Sequence, residues 1–154
     1  MDDIVCANTA FRYWRCPPQV RNLYPRLPNS EDGWRALSQA PFVTEVLKTP
    51  IIAVTSPGCC NHHSGLRSTI RWEGASDAGT TIDTNLGFCV TNPLNTLFTM
   101  TRFVSQIDLV LAMYELCGWF SVFEPAPAAE MQLKMAVEEN RNSSTQDLFE
   151  LGEG

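Results

Sequence analysis

The sequence predicts an α+β fold, a small mixed sheet of about four to five strands packed against helices, and three observations carry that expectation. Thr81, Ile82, Asp83 and Thr84 alternate in polarity, Asn85-Leu86-Gly87 offers residues that tolerate positive φ, and Phe88-Cys89-Val90-Thr91 resumes the extended pattern, which together make one hairpin. Ile51-Ile52-Ala53-Val54-Thr55 is a nearly unbroken apolar run, as in a strand covered on both faces, and we take it as the central strand. From Asn92-Pro93 to Gly118 the apolar spacing becomes helical.

The elements follow in order. Asn8 or Thr9 is placed to cap a short helix that runs to Cys16, where Pro17-Pro18 removes backbone donors and stops it. Val20 to Pro28 reads as an irregular, extended link. Ser30-Glu31-Asp32-Gly33 opens a helical region from Trp34, continued by Phe42, Val43, Val46 and Leu47 at helical spacing and ended by Pro50. Leu66 to Trp72 alternates as a half-buried strand. Asn92-Pro93 starts a helix whose apolar side is expected at Leu94, Leu97, Phe98 and Thr101. Ser105 and Asp108 resemble a capping box for the next helix, in which Ile107, Val110, Leu111 and Tyr114 form one stripe and Leu109, Met113 and Leu116 another. Such a helix is expected to be buried over much of its circumference, with Gly118 as its left-handed stop. Trp119 to Phe123 reads as an edge strand and Ala128 to Glu139 as a helix, so residues 1–139 make one domain and 140–154 an acidic flexible tail.

A chain of 154 residues is long enough for one domain with its own core. The net charge of −6 is concentrated: from Glu124 onward seven acidic residues face only Lys134 and Arg141, which leaves the body close to neutral. A nearly neutral body lacks the basic stripe that neutralises phosphates, so direct nucleic-acid binding is not expected. No run reaches the roughly 20 apolar residues of a membrane span, and Met1-Asp2-Asp3 does not open a secretory signal, so we expect a cytoplasmic protein. In that compartment most of the six cysteines are expected to serve as small buried hydrophobes.

Chemistry is concentrated in Cys59-Cys60-Asn61-His62-His63, where two Cys-x-x-His spacings bring zinc-type donors into one loop. Adjacent cysteines and adjacent histidines seldom all reach one tetrahedral ion, and no second ligand pair of that quality exists elsewhere. A thiolate made by a neighbouring imidazole is the other reading, but no orienting Asn or Asp and no oxyanion site accompany it. We therefore expect no cofactor and no catalytic residue. Glu115 lies one turn beyond Leu111 on a helix read as buried, so its carboxylate needs a partner, for which Arg12 or Arg15 is available. Tyr13, Trp14 and the flanking Arg12 and Arg15 are the residue types that dominate interface energy, which makes them candidate binding residues.

Thr9-Ala10-Phe11-Arg12-Tyr13-Trp14-Arg15 with Pro17-Pro18-Gln19-Val20, then Gly87 to Pro93 with Leu94, Thr96 and Leu97, then Met113 to Gly118, carry a resemblance. Over residues 4 to 135 the chain resembles the N-terminal region of uncharacterised gut-actinobacterial proteins, which in turn resemble the C-terminal region of AbiEi-type antitoxins with their Val-Thr-x-Pro-x-x-Thr-Leu turn. Longer members look as if they continue into a Vsr-like nuclease domain, whose carboxylates and lysine have no counterpart here. The resemblance implies a non-enzymatic, antitoxin-like domain that restrains or positions a toxin or nuclease partner. Two other readings fit the sequence: a phage or mobile-element inhibitor of a bacterial defence complex, acting like an anti-CRISPR through its acidic surface, and a zinc- or thiol-dependent enzyme at the Cys/His loop.

Overall fold

The computed structural model describes residues 4–27, 33–55, 63–72 and 79–118, with Glu130, Met131, Lys134, Met135 and Glu138 as helical positions further on. Five strands form one mixed sheet: β1 (Ile4–Val5), β2 (Ile51–Thr55), β3 (Arg67–Arg71), β4 (Thr81–Asp83) and β5 (Cys89–Thr91), in the spatial order β3-β2-β1-β5-β4. The α+β class is therefore as the sequence predicts. β1 runs antiparallel to β2 and parallel to β5, β2 runs parallel to β3, and β4 and β5 are the antiparallel hairpin. Ile4 lies opposite both Val54 and Cys89, and Val5 opposite both Ala53 and Val90.

The middle of the sheet is thus β1 and not β2. Two residues are too few to show a period, and the sequence reading passed over them. β2 is nonetheless an interior strand, and all five of its residues are buried. Alternation along it explains the unbroken apolar run: Ile51 packs on one face with Val5, Val90, Tyr13, Phe42 and Phe88, whereas Ile52 and Val54 pack on the other with Cys6, Ile70, Met100 and Ala112.

The first helix, α1 (Ala7–Arg15), begins one or two residues before the expected caps, from Cys6, which makes no side-chain cap hydrogen bond. Thr9 is fully buried and its Oγ1 accepts the Ile52 N–H at 3.0 Å, which ties α1 to β2. The chain after Pro17 is not extended throughout: α2 (Pro18–Arg21) takes up Val20 and Arg21, with Pro18 at the first helical position, where a missing N–H costs nothing, and Asn22 to Leu27 is irregular as read. α3 (Gly33–Gln39) is followed by a π-helical turn over Val43–Leu47 that buries Val43, Val46 and Leu47.

The hairpin loop closes on Gly87 at φ +89°, a left-handed conformation that favours glycine. α4 (Pro93–Met100) starts at Asn92, whose Oδ1 accepts the Asn95 N–H at 2.8 Å. Its buried face is not the expected one. Thr96, Thr99 and Met100 face inward, while Leu94 and Phe98 are exposed and Leu97 is only partly buried. The threonine hydroxyls are satisfied locally: Thr96 Oγ1 donates to the Thr91 carbonyl (3.0 Å), and Thr99 Oγ1 donates to Asn95 and Thr96 carbonyls while accepting the Ala7 N–H at 3.0 Å. A hydroxyl paired in this way lets threonine pack as a small apolar residue between helices.

α5 (Gln106–Leu116) is capped by Ser105, whose hydroxyl accepts the Asp108 N–H (3.2 Å) and donates to Asp108 Oδ2 (2.7 Å). It ends at Gly118, φ +79°, the expected left-handed stop. The expectation that α5 is buried round most of its circumference fails: only Ala112 is buried, and Ile107, Val110, Leu111, Met113 and Tyr114 are exposed. Glu130 and Lys134 pair at 2.7 Å on an exposed helical face further along. The edge strand expected at Trp119 to Phe123 and the tail at 140–154 lie outside the described residues.

Candidate functional site

Two helices converge on a cleft of about 370 Å³. α1 contributes Asn8, Phe11, Arg12 and Arg15, α5 contributes Asp108, Leu111, Ala112 and Glu115, and Met100 and Val104 lie between them. Both sets follow the i, i+3, i+4, i+7 rule, so each helix turns one continuous stripe toward the other. Apolar side chains and charged ones share the lining.

One end is clasped. Arg15 Nε donates to Glu115 Oε1 at 2.8 Å, with only 7 % of the glutamate side chain and 25 % of the arginine exposed, and the Arg15 guanidinium also lies 5.5 Å from the centre of the Phe11 ring. Of the two partners the sequence offered to Glu115, the structure places Arg15 against it. Arg12 lines the cleft as well, but its Nη1 donates to the Leu47 carbonyl at 2.8 Å. Burial, and next the charge of Arg15, pull the Arg12 guanidinium below its ordinary pKa. Asn8 Oδ1 is shut off from solvent and has no hydrogen-bond partner.

The aromatic candidates are elsewhere. Tyr13 is buried and meets Trp14, Phe42 and Phe88 edge-on at 5.1, 6.3 and 5.6 Å between ring centres. A ring so placed belongs to the core and does not form a binding surface, which corrects the expectation for Tyr13. Trp14 is partly buried beside it, with Nε1 donating to the Thr91 carbonyl at 2.9 Å. Both rings are stacked under Arg21, whose guanidinium lies 4.3 Å from the centre of Tyr13 and 5.7 Å from that of Trp14. Arg12 and Arg15 are the members of the expected set that reach the cleft.

Of the Cys/His loop, Cys59, Cys60 and His62 lie outside the described residues; His63 is exposed and its Nδ1 is 2.8 Å from Ser68 Oγ. Among the described residues no group of three or more His, Cys, Asp or Glu stands close enough to hold a metal. Among them, too, no helix is long and apolar enough to cross a membrane. Four described cysteines are free thiols, of which Cys6 and Cys16 are buried, Cys89 is partly buried and Cys117 is exposed. Burial pushes the Cys6 thiol up to about 12 against a smaller opposing pull from Arg102, and Cys16 up to about 11 against Arg21. Such thiols are poor nucleophiles.

Sequence reasoning named Arg12, Arg15 and Glu115 but missed Asn8, Phe11 and Asp108. Asn8 and Asp108 were read as caps, and the signal that would have found them is the shared helical spacing with Arg12, Arg15 and Glu115. The chain matches no family model, and no curated protein or solved structure matches it.

Proposed function

We propose that this chain is a non-enzymatic protein-binding domain that takes a side chain of its partner into the α1–α5 cleft, and that it restrains or positions a toxin or nuclease as the resemblance to AbiEi-type antitoxins implies. The cleft is the observation that supports this reading. It joins the apolar Phe11, Met100, Val104, Leu111 and Ala112 to side chains of both charges. Pockets of this construction suit an anchoring side chain ringed by polar contacts. Its ionic groups already have partners: Glu115 pairs with Arg15 across the two helices, Asp108 with Ser105 in the cap of α5, and Arg12 with the Leu47 carbonyl of the π-helical turn.

The test uses the chain as bait in extract of its source cells, followed by remaking any captured protein in pure form and titrating it. An Arg12→Gln, Leu111→Arg double variant with unchanged far-ultraviolet circular dichroism is expected to bind at least about tenfold more weakly, since losing an interfacial hot spot costs roughly 1.4 kcal/mol or more. Equal affinity would overturn the cleft as the contact site. Expressed alone, the partner is expected to arrest growth and the wild-type chain to relieve the arrest; a partner that is harmless alone would overturn the antitoxin-like role.

A further inference from the structure

The charged side chains of the cleft are not equally answered. Arg15 is paired with Glu115. Asp108 is exposed in the cap of α5, where the Ser105 hydroxyl and the positive end of the helix dipole both suit a carboxylate. Arg12 differs. It is partly buried, a like charge stands one turn on at Arg15, and its Nη1 donates to a carbonyl that carries no charge, that of Leu47. Among the described residues Arg12 pairs with no carboxylate, and its Nε and Nη2 donate to nothing. A guanidinium drawn partly out of water is stabilised by a counter-ion, and the side-on fork of Nε and Nη2 matches the two oxygens of a carboxylate. Phe11, Met100, Val104, Leu111 and Ala112 line the same cleft, so the anion that suits it carries an apolar body. A phosphate suits it less: Arg15 is already neutralised by Glu115, and the carboxylates of Asp108 and Glu115 would repel the second charge.

We propose, on the footing that the cleft is a protein-binding site, that what enters it is the partner's last residue, an apolar one, with its terminal carboxylate on Arg12. A chain end supplies both halves of the complement on one residue, whereas an internal Asp or Glu brings the charge without the apolar body. At about 370 Å³ the cleft is near the lower end of small-ligand sites, a size for one residue and not for a length of chain.

The test is a nuclear magnetic resonance titration of the isotope-labelled full chain with N-acetylleucine. Two controls accompany it: N-acetylleucine amide, which has the same body without the charge, and the α-amide of N-acetylaspartate, which stands for an internal acidic residue. N-acetylleucine is expected to move the Arg12 Nε–H signal and amides of 8–15 and 106–116 with a Kd on the order of 1 mM, as fits so few atoms. Both controls should bind at least about tenfold more weakly. Arg12→Gln should abolish the difference between acid and amide; that difference is read on the wild-type chain, so it stands even if the variant fails to fold. Equal affinity for acid and amide, no binding of either, or tighter binding of the aspartate probe overturns the proposal. With a captured partner, deletion of its last residue should weaken binding as much as the Arg12→Gln, Leu111→Arg double variant does. A partner sensitive to the double variant but indifferent to the deletion overturns the terminal carboxylate and leaves the cleft as the contact site, whereas one indifferent to the double variant overturns both.

Discussion

Removing the Glu115 carboxylate should loosen α5 more than its single charge suggests. α5 buries only Ala112 completely, so the contact with Arg15 is a large share of what holds the helix to α1. At 2.8 Å the gross attraction is about 6 kcal/mol at an effective dielectric constant of 20. Desolvation of a glutamate that is 7 % exposed and an arginine that is 25 % exposed offsets most of that. The coupling left in a double-mutant cycle between Arg15→Met and Glu115→Gln should be about 1.5 kcal/mol, above the 0.2–1 kcal/mol range typical of exposed pairs. Glu115→Gln alone leaves Arg15 partly desolvated and should cost about 2 kcal/mol, which lowers Tm by roughly 4–8 °C in a domain of this size. Urea unfolding followed by circular dichroism gives all four corners of the cycle, and amide exchange should rise first within 106–116. A coupling below about 0.3 kcal/mol would refute the reasoning, since that is the ordinary error of additivity.

Thr99→Val keeps the shape of the α1–α4 contact but leaves the buried Ala7 N–H without its acceptor, so it should cost about 1–3 kcal/mol in urea unfolding, with Thr99→Ser close to wild type. Lys48 is exposed and held at φ +60°, ψ 150°, a region that suits glycine, so Lys48→Gly should raise stability by about 1 kcal/mol and Tm by a few degrees. Cys6 has its thiol pKa raised in the fold from an ordinary 9.0 to about 12, so the unfolded chain loses this proton first. Its contribution to stability is complete below pH 9 and is lost as the pH climbs toward 12; between pH 8 and 10 this is about 1.4 kcal/mol, which a comparison with Cys6→Ala isolates.

What the sequence disclosed and what it hid divide on physical lines. β2 was legible because a strand covered on both faces must be apolar throughout, and the hairpin because Gly87 marks its turn. Asn92, Ser105 and Gly118 announced the helix ends, since unsatisfied backbone groups there demand particular side chains. The α4 face was hidden because hydropathy counts threonine as polar, while the structure satisfies the Thr96 hydroxyl on the Thr91 carbonyl of β5 and that of Thr99 within the helix, and hides both. α5 was misread for a related reason: its apolar stripe was taken as facing this chain's core, yet periodicity gives the width of a stripe and not its direction. At the cleft, the requirement that Glu115 be paired followed from charge alone. The choice of Arg15 over Arg12 depended on the π-helical turn, whose Leu47 carbonyl occupies Arg12.

The shortest strand has the longest reach. Ile4 and Val5 join Ala53 and Val54 on one side to Cys89 and Val90 on the other, and in the strand order nothing else links the β2–β3 half to the β4–β5 half. The ladder between the two halves therefore runs through a dipeptide whose partners lie some fifty and eighty-five positions downstream, so closing the sheet requires two distant loop closures of the kind that slow assembly. Until both halves exist, Ile4 and Val5 have nothing to grip. Deleting Ile4 and Val5 would strike that seam, although it removes almost no surface.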